Sequence, residues 1–460
     1  MLNSFTNKRA NKNLGLIMSL SLLGLFLAFF IFQFNLLFAL LAFLLYTVFV
    51  FSFFYPLPGI LIFIILRPLL DIFTNNSVFS VAGLEVNLAS LAGVMVIVLS
   101  LYFFFGLGFK KVKTRGLNLK LFWLWAIFLT INILSALVTV YLAGSAREII
   151  RLLSIFSLFI LGSVLANSAS DLTKVLKAVL ISALIPALLG IFHLIYQGQM
   201  FIDQDGRLLA TFAHPNMLAF YLFFTIAVSL FVFLYGFKKN ILSYFYAFLG
   251  LLFFIPLVLT YTRGAWLALI IFLIIIGIFK FRKILLVSVL FFALMYLSMP
   301  SLYYRVNNAF AINNYDSSIA WRLQLYQDSW AYAQDKPVLG YGAGNANVVI
   351  SENRSPYLGS SEPHNDYLKT LLETGYVGLI SYLALLAVLV YELFKKYKEV
   401  RVVRIKYFNF FMIAVVISLA ITSFGDNILN DTALQWSLWL VLGGFLSLNS
   451  QKKMEKEIDL

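Results

Sequence analysis

The protein has 460 residues, of which 62% are hydrophobic and 12% are charged, and its formal net charge is +14. Soluble domains are about half apolar and about a quarter charged, so this composition excludes a water-soluble fold. The chain has no cysteine, which excludes disulfides and thiol catalysis, and its three histidines lack the ligand spacing of a zinc site. We therefore predict a membrane protein without a metal site.

Long apolar runs recur along the chain from residue 14 to residue 448. A helix needs about 20 such residues to cross a bilayer, whereas a barrel would show alternating strands of about ten residues. We therefore predict an all-α polytopic protein with about 12–14 transmembrane helices. The first run, 14–32, follows basic residues as a signal peptide does, but it lacks a small-residue cleavage site and is predicted to be retained.

Lysine is concentrated in alternate loops and at both ends of the chain. By the positive-inside rule, this pattern and an even number of spans place both termini in the cytoplasm. The basic residues therefore orient helices and do not indicate nucleic-acid binding. The predicted organisation is a cytoplasmic tail (1–13), transmembrane helices (14–299), a large outer loop (300–365), transmembrane helices (366–448) and a cytoplasmic tail (449–460).

The large outer loop has two recognisable parts. Ile319 to Tyr332 is predicted to form an amphipathic helix, with Trp321 and Leu325 among its apolar residues. The glycine-rich stretch 340–344 suits a tight loop that lies against the membrane domain.

Arginine predominates over lysine on the outer side, which suggests that some arginines bind a ligand. Arg207 lies in a short outer connection just before a span, where the free N–H groups of a helix N-terminus favour an anion. The alternative is an interfacial arginine paired with Asp203 or Asp205. Arg263 falls between two apolar runs, where a charge is costly unless it faces a cavity or a partner. Its alternative is a snorkelling arginine beside Trp266.

His364 lies where the large loop re-enters the membrane, and Asn365 or Asp366 can cap the helix that follows. A histidine at the edge of a cavity has a suitable pKa range for a general base, although it can equally be an ordinary interfacial histidine. Glu373 is nine residues further on, on the opposite face of the helix, and is predicted to brace another helix or a break at Gly375.

Several other residues are weaker candidates. Arg147 and Arg151 lie one turn apart at the start of a span, where they can extend a phosphate site or form a paired helix end with Glu148. Arg322 in the outer loop is a further supporting candidate.

The remaining charged or titratable residues are given structural roles. Arg67 lies within an apolar run near Asp71, which predicts an ion pair. His193 and His214 are interpreted as interfacial histidines.

Several segments together resemble the O-antigen ligase and O-antigen polymerase superfamily. Residues 364–378, which end in Glu373, Gly375 and Gly378, resemble its signature, and residues 262–266 are similar to its Ser/Thr-Arg-Gly segment. Residues 207–216 resemble its Arg-x-x-Gly-Thr-Phe-x-x-Pro-Asn segment, with Ala210 where glycine is usual. Shorter matches in the loop are at 321–322, 335–337 and 340–342.

This resemblance implies a GT-C-like, inverting, metal-independent glycosyltransferase without a cofactor. Such an enzyme moves a glycan from undecaprenyl pyrophosphate to an acceptor hydroxyl at the outer face of the plasma membrane. Arg207 and Arg263 would hold the pyrophosphate, and His364 would be the catalytic base. The implied partners are the lipid-linked donor, a saccharide, lipid-linked or other envelope acceptor, and the lipid bilayer.

Two alternatives stay open. A polymerase of the same superfamily would add the glycan to a growing chain, and the spacing of the three residues only mildly favours a ligase. A transporter or flippase for lipid-linked oligosaccharides would need a polar path across the membrane. The predicted spans carry almost no charge apart from Arg67, which favours an enzyme.

Overall fold

The computed structural model describes residues 17–25, 36–74, 76–81, 83–108, 116–166, 168–196, 201–236, 241–286, 318–353 and 361–448, with residues 15, 288 and 289. The two predicted tails, 1–13 and 449–460, lie outside the described residues, as do parts of the predicted spans 14–32 and 284–299. The same holds for residues 300–317 and 354–360 of the predicted outer loop.

The described chain is built almost entirely from α-helices, numbered here in chain order. They are α1 (Leu36–Phe54), α2 (Pro56–Leu70), α3 (Leu88–Gly108), α4 (Leu119–Ser135), α5 (Leu142–Leu165), α6 (Ala169–Ser182), α7 (Leu184–Tyr196), α8 (Pro215–Tyr235), α9 (Ile241–Leu259), α10 (Arg263–Phe279), α11 (Ser318–Asp335), α12 (Ala346–Asn353), α13 (Asp366–Glu399), α14 (Val403–Thr422) and α15 (Thr432–Ser447). Single 3₁₀ turns lie at Asp71–Phe73, Ala136–Val138 and Ile428–Asn430.

The membrane-spanning character of these helices follows from their length and composition. Among the described residues, nine helical segments are long and apolar enough to cross a bilayer, and three shorter apolar helices accompany them. The protein is therefore a polytopic α-helical membrane protein, which confirms the predicted fold class.

Two local features differ from the sequence prediction. A small antiparallel hairpin, β1 (Ser77–Val81) and β2 (Leu84–Asn87), precedes α3 and was not predicted. The predicted span 366–394 extends to Glu399, and it is interrupted at Gly375, where φ is 66° and ψ is −170°. This conformation is essentially restricted to glycine.

Glycines let α5 and α15 approach each other closely. A Cβ atom built on Gly162 would lie 2.3 Å from the carbonyl oxygen of Leu440, and one on Gly443 would lie 2.3 Å from that of Phe159. Small residues at such contacts allow backbone-to-backbone packing, which is the main source of helix association in a membrane. Any larger side chain at either position would separate the two helices.

The glycine-rich loop after α11 lies against the membrane domain, as the sequence predicts, and it packs on the break in α13. Tyr341 N–H donates to the Leu372 carbonyl at 3.0 Å and Gly342 N–H to the Glu373 carbonyl at 3.0 Å. Tyr376 N–H returns a bond to the Pro337 carbonyl at 2.7 Å. The backbone groups that the break in α13 leaves unpaired thus form hydrogen bonds with the loop. These bonds hold the loop against the helix bundle.

Candidate active site

A tight turn before α8 carries Arg207. Ile202 and Leu208 pair across it as an antiparallel bridge, and the Asp203 N–H donates to the Arg207 carbonyl at 2.9 Å. The Asp203 carboxylate accepts the backbone N–H of Arg207 at 2.8 Å and that of Asp205 at 3.0 Å. Asp203 therefore shapes the backbone of this turn, a role that the sequence analysis did not assign to it.

The guanidinium of Arg207 is oriented by groups from two other segments. Nε donates to the Thr260 carbonyl at 3.0 Å, and Nη2 donates to Asn216 Oδ1 at 2.6 Å and to Thr262 Oγ1 at 3.0 Å. Thr260 and Thr262 precede α10, whereas Asn216 lies in the first turn of α8. These bonds hold the planar fork in one orientation, as recognition of a phosphate by arginine requires.

Arg263 lies close to this cluster because it is the first residue of α10, directly after Thr262. A Cβ atom built on its neighbour Gly264 would lie 3.8 Å from Asp426 Oδ2 and 3.2 Å from Phe220 Cζ. The structure thus brings the segments of both predicted pyrophosphate-binding arginines to the same end of the bundle.

A buried carboxylate, Asp426, joins the arginine cluster to the predicted base. Asn216 Nδ2 donates to Asp426 Oδ2 at 2.6 Å, and Asp426 Oδ1 lies 3.9 Å from Nδ1 of His364. Arg207, Asn216, Asp426 and His364 therefore form one continuous series of polar contacts. Asp426 is not among the residues predicted from the sequence, although it lies between two predicted spans on the outer side.

Asp366 holds the Asp426 loop against the start of α13. Its carboxylate accepts Leu429 N–H at 3.0 Å and Ser423 Oγ–H at 2.9 Å, and its own N–H donates to the Ser423 carbonyl at 3.0 Å. Because the Asp426 loop runs between Ser423 and Leu429, these bonds fix Asp426 opposite His364.

The backbone and ring of His364 are held from several sides. The Tyr326 hydroxyl donates to its carbonyl at 3.0 Å, and the Trp321 indole packs edge-on at a centroid distance of 5.7 Å. The next residue, Asn365, caps α13 by accepting the N–H groups of Tyr367 and Leu368 at 3.0 Å each. The imidazole is 17% exposed, and its Nδ1 is buried without a hydrogen bond. A proton on Nδ1 would face Asp426 and leave Nε2 able to accept another.

His214 also belongs to this region and is more than an interfacial histidine. Its Nδ1 accepts the Asn216 N–H at 3.1 Å, so that it caps the N-terminus of α8. Burial, with a smaller contribution from the nearby Arg207 charge, lowers the pKa of His214 below its usual range. The imidazole is thereby kept neutral, with its Nδ1 lone pair available to the backbone.

Backbone strain marks all three site segments. Within the described chain, the non-glycine residues with positive φ are Ala210 (48°), Tyr261 (49°) and His364 (48°). An L-residue in this region costs about 1–2 kcal/mol, and such strain is concentrated at functional sites. It also explains why glycine is usual at the position of Ala210.

The supporting candidates divide into two groups. Arg322 lies near the Asp426 loop, since its Nη1 would be 3.9 Å from a Cβ atom built on Gly425, and its Nε is buried without a hydrogen bond. Glu373 points away from His364 into a buried ion network, where it accepts Lys369 Nζ at 2.8 Å.

This ion network links α5 to α13. Glu148 pairs with Arg151 and with Lys369, whose Nζ lies 3.2 Å from Glu148 Oε1. Arg151 also donates to Asn430 Oδ1 at 2.5 Å. The paired interpretation of Arg151 thus fits the structure, whereas Arg147 makes only long bonds, at 3.4 Å, to the Ala143 carbonyl and Tyr141 hydroxyl.

The sequence was compared with models of known protein families. Residues 248–383 match the family model described as O-antigen ligase. This match supports membership of the O-antigen ligase superfamily. The matched region contains Arg263 and His364, whereas Arg207 and Asp426 lie outside it. The matched family implies a membrane enzyme of the glycan ligase or polymerase type, with lipid-linked glycans and polysaccharides as its general class of substrate. No curated protein matches the chain at a significant level.

Proposed function

We propose that the protein transfers a glycan from undecaprenyl pyrophosphate to an acceptor hydroxyl at the outer face of the plasma membrane, in the manner of an O-antigen ligase. The observation that supports this most is the continuous contact series from Arg207 through Asn216 and Asp426 to His364. This series connects Arg207, a residue type that commonly binds phosphate, to the histidine and carboxylate pair of His364 and Asp426 at the same end of the bundle.

The base in this mechanism is His364. Nε2 removes the proton of the acceptor hydroxyl while Asp426 stabilises the imidazolium that forms. The resulting nucleophile attacks the anomeric carbon, and the bond to the pyrophosphate oxygen breaks. A single displacement of this kind inverts the configuration at the anomeric carbon.

Arg207 and Arg263 act on the leaving group. Negative charge develops on the pyrophosphate as the glycosidic bond breaks, and a fixed guanidinium stabilises it in the transition state. Arginine suits this role better than lysine, because its donors match two phosphate oxygens at once. The positive charge that a metal ion would otherwise supply can come from these side chains.

The test is transfer by the purified protein in proteoliposomes, with a lipid-linked glycan as donor and a separate acceptor. We expect glycan-bearing acceptor, free undecaprenyl pyrophosphate, an inverted anomeric centre by NMR, and a rate that EDTA leaves unchanged. Movement of the donor across the bilayer without a new glycosidic bond would instead support a flippase. Extension of the donor's own glycan would support a polymerase.

A further inference from the structure

An arginine-rich cavity lies beside the site described above. It has a volume of about 220 Å³ and is open on one side. A cavity of about 150 Å³ can hold a molecule of benzene, so this one has room for a phosphate group with water. Its polar lining includes Arg67 and Asp71 around the end of α2, Asn87 before α3, Arg147 and Arg151 on α5, and Asn430 and Thr432 around the start of α15.

The cavity is separated from Arg207 by the start of α8. Ala213 and Met217 line the cavity. His214 and Asn216 make their polar contacts around Arg207 and Asp426. The same helix N-terminus therefore forms a wall between two arginine-containing sites.

Two of the three arginines are held in place by carboxylates. Arg67 is 5% exposed and its Nη1 lies 2.7 Å from Asp71 Oδ1, while its Nε is buried without a hydrogen bond. Arg151 pairs with Glu148, and its Nε is likewise buried without a hydrogen bond. These pairs fix the two guanidinium groups in the wall of the cavity.

Arg147 supplies the excess positive charge. Within the described part of the chain it forms no ion pair with a carboxylate, and its side chain is exposed. The cavity therefore combines an arginine that has no carboxylate partner among the described residues with the neutral polar side chains of Asn87, Asn430 and Thr432.

We infer that this cavity binds a phosphate group, held by Arg147 with Arg67 and Arg151, as a second anion site distinct from the Arg207 cluster. Fixed guanidinium groups beside neutral polar side chains are the groups that recognise a phosphate ester in proteins. That group can belong either to the donor's pyrophosphate or to a phosphate carried by the acceptor.

Direct binding tests the pocket without any catalysis. The probe is inorganic pyrophosphate, titrated calorimetrically into the purified full-length protein in detergent. In an Arg207→Ala background we expect binding to persist, and we expect Arg147→Gln to weaken it by about tenfold. Arg401→Gln, an exposed arginine at the other end of the bundle, should change nothing.

A second variant tests whether the effect of Arg147→Gln comes only from the change in net charge. Gly93 lines the cavity, and a Cβ atom there would meet Ser154 Cβ at an ordinary 3.6 Å. Gly93→Leu should fill the cavity with every charge kept, and it should weaken pyrophosphate binding as much as Arg147→Gln does. Unaltered affinity in both variants would overturn the proposal.

The source of the phosphate is separated by kinetics, and this arm rests on the proposed function. Arg147→Gln should raise the KM for the donor if the pocket holds the donor pyrophosphate, and the KM for a phosphate-bearing acceptor if it holds the acceptor. Absence of transfer by the unaltered protein would count against the proposed function alone, because the binding measurements do not depend on it.

Discussion

Nδ1 of His364 lies 3.9 Å from Oδ1 of Asp426, and both side chains are largely buried. This separation exceeds a hydrogen bond, and contacts between a catalytic base and its partner are often long in the absence of substrate and shorten in the substrate complex. The carboxylate is meanwhile held by Asn216, which is also bonded to Arg207. A change at Asp426 should therefore affect both halves of the site, but chiefly the base.

Asp426→Asn preserves the shape of the side chain and removes its charge. The imidazolium of His364 then loses its stabilisation, and we expect kcat for glycan transfer to fall by about a hundredfold or more, with a smaller change in the KM for the donor. Steady-state kinetics with a lipid-linked donor measure both. Asp205→Asn, in an exposed turn, is the matched control, and equal losses in the two variants would contradict the role of Asp426.

Arg207→Lys keeps the positive charge but removes the planar guanidinium group with its several N–H donors. Three bonds orient the guanidinium, and an ammonium group cannot reproduce them together with a two-point contact to phosphate. We expect kcat/KM for the donor to fall by about ten- to a hundredfold. Arg401→Lys should leave it unchanged, and a fully active Arg207→Lys enzyme would exclude a bidentate role.

Gly375→Ala should prevent stable folding. The backbone at this position is in a conformation nearly restricted to glycine, and the added Cβ atom would lie 2.2 Å from the Val338 carbonyl oxygen. We expect a large drop in melting temperature or loss of monodisperse protein in detergent. Gly106→Ala, where an added Cβ atom meets nothing within 4 Å, is the control, and it should fold normally.

Acid should destabilise the site through His214. Its pKa is lowered in the folded protein by burial and by Arg207, so the unfolded chain takes up a proton more readily. The stability that it contributes is present at neutral pH and is lost as the pH falls below about 6.5. Thermal unfolding between neutral and mildly acidic pH should show this loss, and His214→Asn should reduce it. His193→Asn should not, and identical pH profiles for the two variants would contradict the assignment.

The sequence alone predicts the position or the partner of a residue when these depend on neighbouring residues in the chain. Arg67 and Asp71 are one helical turn apart, and the ion pair predicted for them is present. Arg207, Arg263 and His364 each lie at a span boundary on the same predicted side, so alternation of the helices alone brings their segments to one end.

Residues that depend on long-range packing could not be predicted in this way. A single acidic residue after a span, such as Asp426, carries no periodic signal. The contact of Lys369 with Glu148 joins positions 221 residues apart. The role of His214 depends on its position at the N-terminus of a helix packed against Arg207. The hairpin before α3 is too short, with strands of five and four residues, to give a recurring alternation.

The central claim is that His364 acts on the acceptor hydroxyl and leaves donor binding to the arginines. The measurement that tests it most directly is the transfer rate of His364→Ala with a saturating lipid-linked donor, together with donor affinity in the same preparation. We expect transfer to be abolished while donor binding and thermal stability stay close to those of the unaltered protein. Transfer at the unaltered rate would contradict the claim, and so would a loss of donor binding that accounts for the whole defect.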